Sequence, residues 1–281
     1  MRFGRNYRLT IETNEGAVVI EPPFTIEFSL ERSTLSSVNS MQLQIYNLAE
    51  RNRSIIFQDR FRPKFYKRLI LQAGYSQLHT IFRGNVFQAT SKRSGADIIT
   101  YIEARDGAFD ASRAFTNKNI NPETTQDVVD ALVADLENIK LGKTGKEQGN
   151  FPRNVTLNGN TFELINKYTN DKAYVDLEEL NVLQDDEAIE GVLPLITSET
   201  GLLETPQREE AYLSIETIFR PEITVGQLLE VQSGVNSAYD GQYKVTGLRH
   251  RATISEAVAG DAKSSFDLLV GSQLFGEFNK V

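Results

Sequence analysis

Cysteine is absent from this chain of 281 residues, which excludes disulfides, thiolate metal sites and cysteine nucleophiles together. No window approaches 18 uninterrupted apolar residues, so no helix is expected to span a bilayer. The opening "MRFGRNYRLT" is basic, but no apolar stretch follows it, which argues against a secretory signal. The sequon-like triplets at Asn52 and Asn154 then carry little meaning. Histidine is scarce: His79 falls in or beside a hairpin, and His250 lies between Arg249 and Arg251 at a strand end. No H-x-x-x-H spacing exists, so both are expected at a surface or an interface rather than on a metal. No G-x-S-x-G elbow occurs either.

The remaining chemical candidates fail on spacing. "LGKTGK" (141–146) looks like a phosphate loop, yet the position where that loop needs its first glycine is Glu137, and no strand precedes it. A flexible loop over "LGKTGKEQGN" is expected instead. Acids cluster at Glu178–Glu179, Asp185–Asp186–Glu187 and Glu209–Glu210. Glycoside hydrolysis needs one carboxyl buried enough to keep its proton, and adjacent acids in polar turns are expected to face water. The sequence therefore assigns no catalytic, cofactor-binding or metal residue, and an enzyme is not expected.

What is present is an ordinary core-forming composition, 40% apolar, with an uneven charge. Residues 1–105 hold 15 Lys/Arg against 9 Asp/Glu, and residues 106–281 hold 15 against 29. Such a split fits a nucleic-acid site in the first third, complementary contacts between copies, or merely solvated faces.

Period-2 alternation marks strands at Tyr7–Ile11, Phe24–Leu30 and Met41–Tyr46, with "TNEG" as a turn after the first. A short charged helix is expected from there to about Arg60. Further strands are expected at 68–74, 80–90 and 97–104, with Gly84 marking a bulge or bend. From Asp106 the pattern turns helical: one or two turns in "DGAFDASRAF", a helix over 124–139 capped by Thr124 with Asp127, and another over 161–169. "KAYVDL" and "LNVLQDD" read as a hairpin. The last ninety residues return to strands at 192–197, 212–219, 227–232, 241–250, 252–255 and 264–271. The expected fold is a β-rich α+β chain: one strand-rich unit over 1–105, an α+β unit over 106–190 and a second strand-rich unit over 191–281. Strands that close into barrels avoid exposed edges.

The order of these features resembles the baseplate hub proteins of contractile-tailed phages, the late-control-protein-D group. The likeness lies in "IEFSLERSTLSSVNSMQLQIYNLAERNRSIIF", "LILQAGYSQLHTIFRGNV", "TTQDVVDALV" and "LITSETGLLETPQREEAYLSIETIFRPEITVGQLLEV" with "YKVTGLRHRATIS". It runs from about Asn6 to Gly271. The resemblance implies two tube-type β-barrels flanking a small α+β domain, in a homotrimeric ring whose six barrels imitate a hexameric tube disc. It implies a tail tube protein on one side, a central spike protein on the other, and contact with tape measure and other baseplate proteins. It further implies a place in the virion tail, assembly in the host cytoplasm, DNA passing through the lumen, and no catalytic residues to carry over. Ile55, Ile56 and Phe57 are expected to pack against the barrel or the next subunit. A hub of a contractile injection system, a tail-tip cell-wall hydrolase and a nucleic-acid-binding module are the alternatives.

Overall fold

The computed structural model describes residues 4–35, 38–61, 66–146, 149, 151, 153–209, 211–270 and 277–281. The first strands are β1 (Asn6–Thr13), β2 (Gly16–Ile20), β3 (Ile26–Ser33) and β4 (Asn39–Tyr46). After helix α1 (Glu50–Ile56) come β5 (Arg68–Gly74), β6 (Leu78–Ser94) and β7 (Asp97–Asp106). Alternation does what the sequence expects. In β3, Ile26, Phe28 and Leu30 are buried while Glu27 and Glu31 are exposed; in β4, Met41, Leu43 and Ile45 go inward. Each such aliphatic side chain contributes about 1.5–3 kcal/mol by leaving water. The charged helix stops at Ile56, short of Arg60, because Gln58 pairs its backbone with Ala89 of β6 and draws the chain onto the sheet.

The middle of the chain contains α2 (Ala108–Arg113), β8 (Phe115–Ile120), α3 (Thr125–Val133), β9 (Lys140–Thr144), β10 (Val155–Asn160), α4 (Thr161–Thr169), β11 (Ala173–Asp176) and β12 (Glu179–Val182). Val128, Val129, Leu132, Leu157, Ile165, Val175 and Leu180 form a hydrophobic core separate from that of the large sheet. Thr124 and Asp127 make the expected capping box. Helix α3 nevertheless ends at Val133, not at Ile139. There the amides of Asp135 and Leu136 turn to the i−3 carbonyls of Leu132 and Val133. The Asp135 carboxylate is meanwhile held by Thr116 at 2.7 Å and Lys118 at 2.9 Å, both on β8. Part of the expected loop, residues 141–144, belongs to strand β9, parallel to β12. Its Glu147, Gln148 and Asn150 lie outside the described residues.

The last third contains β13 (Glu187–Ala188), β14 (Leu195–Ile196), β15 (Gln207–Glu209), β16 (Tyr212–Ile218), β17 (Leu228–Val231), β18 (Gly241–Ile254), β19 (Ala262–Val270) and β20 (Asn279–Lys280). The two strands expected at 241–250 and 252–255 are one 14-residue strand, β18. The expected final strand's Gly271 lies outside the described residues. β18 couples the two ends of the chain. Its first half pairs with β17 and its second half with β3, with a register shift between Val245 and Gly247 where the partner changes. The result is a 13-stranded sheet in the order β15-β16-β19-β18-β3-β4-β7-β6-β5-β1-β2, with β17 and β14 branching from β18. One contiguous apolar core, from Tyr7 to Val270, lies under it.

Gly84 is not at a bulge. A Cβ there would meet the Arg105 carbonyl oxygen at 2.5 Å, so the residue is required by close backbone approach. The register shifts of β6 lie on either side of it, at Ile81 opposite β5 and between Val86 and Gln88 opposite β7.

Candidate functional site

The outward side of the sheet is the first candidate. Reading across strands in register, it presents Ser214 and Glu216 of β16, and Lys263, Ser265 and Asp267 of β19. It continues with Arg249, Arg251 and Thr253 of β18, then Glu27, Ser29 and Glu31 of β3. Ser40, Gln42 and Gln44 of β4, Tyr101, Glu103 and Arg105 of β7, and Gln88, Thr90 and Lys92 of β6 carry it on. Strand alternation puts all of them opposite the core. Apart from the tyrosine, these side chains are charged, amide or hydroxyl groups.

The charges on this face largely neutralise one another. Five acids (Glu27, Glu31, Glu103, Glu216, Asp267) stand against five bases (Lys92, Arg105, Arg249, Arg251, Lys263), of which Lys92 lies over the Tyr101 ring at 4.6 Å. Three of the bases are held by carboxylates of the same face: Arg249 by Glu31 at 2.7 Å, Lys263 by Glu216 at 2.6 Å and Arg105 by Glu103 at 2.7 Å. Exposed pairs of this kind add little stability. Their consequence is that the face carries few cations free to hold an anion. A depression of about 970 Å³ on it is lined mainly by polar groups, Glu27, Ser29, Gln42, Gln44 and Arg251 among them.

A second candidate lies at the joint between the α+β unit and the sheet. The β11–β12 hairpin turns on Leu177 and Glu178, both at positive φ, and its tip enters a polar slot. Arg32 of β3, only 2% exposed, grips Asp176 with Nε donating to Oδ1 at 2.6 Å, and also donates to Thr224. Asn39 of β4 donates to the Val175 carbonyl at 2.8 Å. Arg68 of β5 donates from Nε to both Glu178 oxygens at 3.0 Å. Asp106, at the end of β7, accepts the Glu178 amide at 3.1 Å. Burial, with Asp176 beside it, pushes the Asp106 carboxyl up to about 8, so it is protonated at neutral pH. The slot thus holds two carboxylates against two guanidiniums, with the third carboxyl neutral.

The residues singled out in the sequence do not converge. His79 sits at the start of β6 opposite Ala73. His250 is the reverse of a surface residue: it is fully buried between Phe219 and Phe266, with Nδ1 at 2.8 Å from Ser264 Oγ. Burial, with Arg32 nearby, lowers its pKa to about 3 and keeps it neutral. Glu178, expected in water, is buried in the joint, and Glu187 is fully buried. The Glu187 carboxylate accepts the amides of Gln184 and Lys146 at 2.8 and 2.7 Å. At the phosphate-loop lookalike, an acid therefore takes the amide that an anion would use. Among the described residues no three His, Asp or Glu side chains gather where a metal ion would sit. Ile56 is buried and Ile55 half-buried against the core, whereas Phe57 is 55% exposed.

The sequence profile of the baseplate hub gp41 family matches residues 7–255. The chain belongs to that family. It is a structural component of a phage tail baseplate, and so of the virion. No curated protein sequence matches the hub. Solved structures share its fold at low identity. A tail protein from Neisseria meningitidis MC58 superposes with a TM-score of 0.67 at 9% identity, over 99% of this chain and 100% of that one. The 43 kDa tail protein of prophage MuSo2 from Shewanella oneidensis gives 0.63 at 9% identity, over 94% and 97%. The Escherichia coli c3393 protein, described as a type VI secretion component structurally similar to phage T4 tail proteins, gives 0.62 at 10%, over 95% and 78%. The hub's joint was missed from sequence because its members come from six separate elements. The one local signal was the pair of acids at the tip of a predicted hairpin.

Proposed function

We propose that the hub forms a homotrimeric ring joining the sixfold tail tube to a threefold central spike, with DNA passing through its bore. In this reading residues 1–105 and 191–281 are tube-type barrels, joined edge to edge through β3 and β18, and residues 106–190 form the domain between them. Six barrels per trimer then stand in for a tube disc. The tube protein docks on one side and the spike on the other, with tape measure and further baseplate proteins nearby, and assembly takes place in the host cytoplasm.

The observation that carries this reading is the polar sheet face with its internally paired cations. Phosphates are retained by unpaired Lys and Arg, each contact releasing counterions. A wall with five acids against five bases, three of those cations held by carboxylates, gives DNA little to hold, which suits a bore. From residues 1–105 the face takes three acids (Glu27, Glu31, Glu103) and two bases, Lys92 and Arg105. The same composition suits a protein without catalysis. A cryo-EM map of the tail tip tests the proposal. Three copies around the axis with Gln42, Arg251 and Glu216 facing the bore are expected; a copy number not divisible by three, or this face turned outward, overturns it. The fold shared with the Escherichia coli protein supports a second reading, the equivalent hub of an injection device, which neighbouring genes lacking capsid functions would favour.

A further inference from the structure

The chain carries two flanks of unlike charge, each with exposed apolar side chains. Between Arg51 and Arg93 the sequence holds ten Lys/Arg and a single acid, Asp59. Between Ala173 and Gln207 it holds nine acids and no base. The fold turns part of each stretch into surface. On and just after α1, Phe57 is 55% and Phe61 85% exposed, among Arg51, Arg53 and Arg60, with Glu50 and Asp59 the two acids of the same stretch. Arg60 stacks on the Phe87 ring at 5.2 Å. Around β14, Val192 is 87% and Leu203 44% exposed, beside Glu190, Glu199 and Glu204. Among the described residues none of these three arginines or three glutamates is in an ion pair.

We propose that the α1 flank of one hub copy docks on the β14 flank of the next. The contact is head-to-tail, and it is the bond that closes the ring. It rests on the ring reading above and names the surfaces that make it. Aromatic and arginine side chains on one partner, with aliphatic side chains ringed by acids on the other, match the usual anatomy of a protein interface. Opposite charge sets both the register and the encounter rate. The flanks also lie apart in the fold. Helix α1 packs on β1 and β6, while β14 pairs with β17, and the path β14-β17-β18-β3-β4-β7-β6 has six strand steps. At ~4.8 Å per step that is roughly 29 Å along the sheet. The two flanks are thus different surfaces on different strands of one copy, as a heterologous contact requires.

The lack of native cysteine makes the test clean. In the full chain carrying Phe57→Cys and Val192→Cys, a short bismaleimide should link position 57 of one copy to position 192 of another. The product should be a ladder of multimers ending in a closed species. The yield should fall several-fold as salt is raised from about 0.05 M to about 0.5 M, as expected for screened charges. Arg51→Glu with Arg60→Glu should abolish the links, and adding Glu199→Lys with Glu204→Lys to the same chain should restore them. Mostly 57–57 or 192–192 links, or a yield no higher than for the unrelated exposed pair Leu35→Cys and Val258→Cys, overturns the proposal. A trimer by native mass spectrometry without 57–192 links sinks this interface and leaves the hub ring standing. Absence of multimers both in purified protein and in cross-linked particles sinks the ring as well.

Discussion

Asp106→Asn isolates one proton in the joint. The wild-type carboxyl is 1% exposed, accepts the Glu178 amide at 3.1 Å and has Asp176 close by. Its pKa rises from 3.8 in the unfolded chain to about 8 in the fold. Between those values the unfolded state has released the proton while the folded state still binds it. Folding stability must therefore fall as pH rises through this window, by about 1.4 kcal/mol per unit, and level off above about 8. By pH 7 the accumulated penalty is on the order of 4 kcal/mol. Asparagine has the shape of the neutral acid, keeps the oxygen that accepts the Glu178 amide and cannot ionise. The variant should match wild type within about 1 kcal/mol near pH 4 and gain on it steadily up to pH 8. Urea unfolding of both proteins at each pH reads this, because titrating groups away from the joint are common to the pair and cancel in the difference. Parallel stability curves, or a variant that loses ground with rising pH, would refute the account of the joint.

Two further substitutions probe the fold. Gly84→Ala puts a methyl 2.5 Å from the Arg105 carbonyl oxygen, so β6 and β7 must part locally; a loss of about 2 kcal/mol or more in thermal unfolding is expected, and a neutral result would refute the close approach. His250→Phe removes a group whose folded pKa is depressed to about 3, so the wild-type decline in stability from pH 6.5 downward, about 1.4 kcal/mol per unit, should flatten in the variant. Unchanged acid sensitivity in denaturant titrations at pH 4–7 would show that the buried imidazole is not its source.

Much of the hub was legible in its sequence, because a strand's faces are a local property. Side chains at i and i+2 share a side, so the alternation of Ile26, Phe28 and Leu30 with Glu27 and Glu31 already separates core from water. The Thr124–Asp127 capping box was equally legible, since both its bonds span three residues. The family order of elements and the uneven charge were there too, as patterns along the chain.

Partners were not legible. β8 and β10 are only six residues each; "FTNKNI" has no apolar alternation and "VTLNGN" only Val155 and Leu157, and they are strands because each completes the other's ladder 35 or more positions away. Helix α3 stops where β8 captures Asp135, an event its own sequence does not encode. His250 and Glu178 look solvent-facing beside charged neighbours, and become buried only when Phe219, Phe266, Arg68 and Asp106 arrive from distant segments. Local sequence determined which residues alternate, cap and turn. The tertiary structure decided what each backbone edge and each buried charge would meet, because hydrogen bonds and desolvation depend on groups brought together across the whole chain.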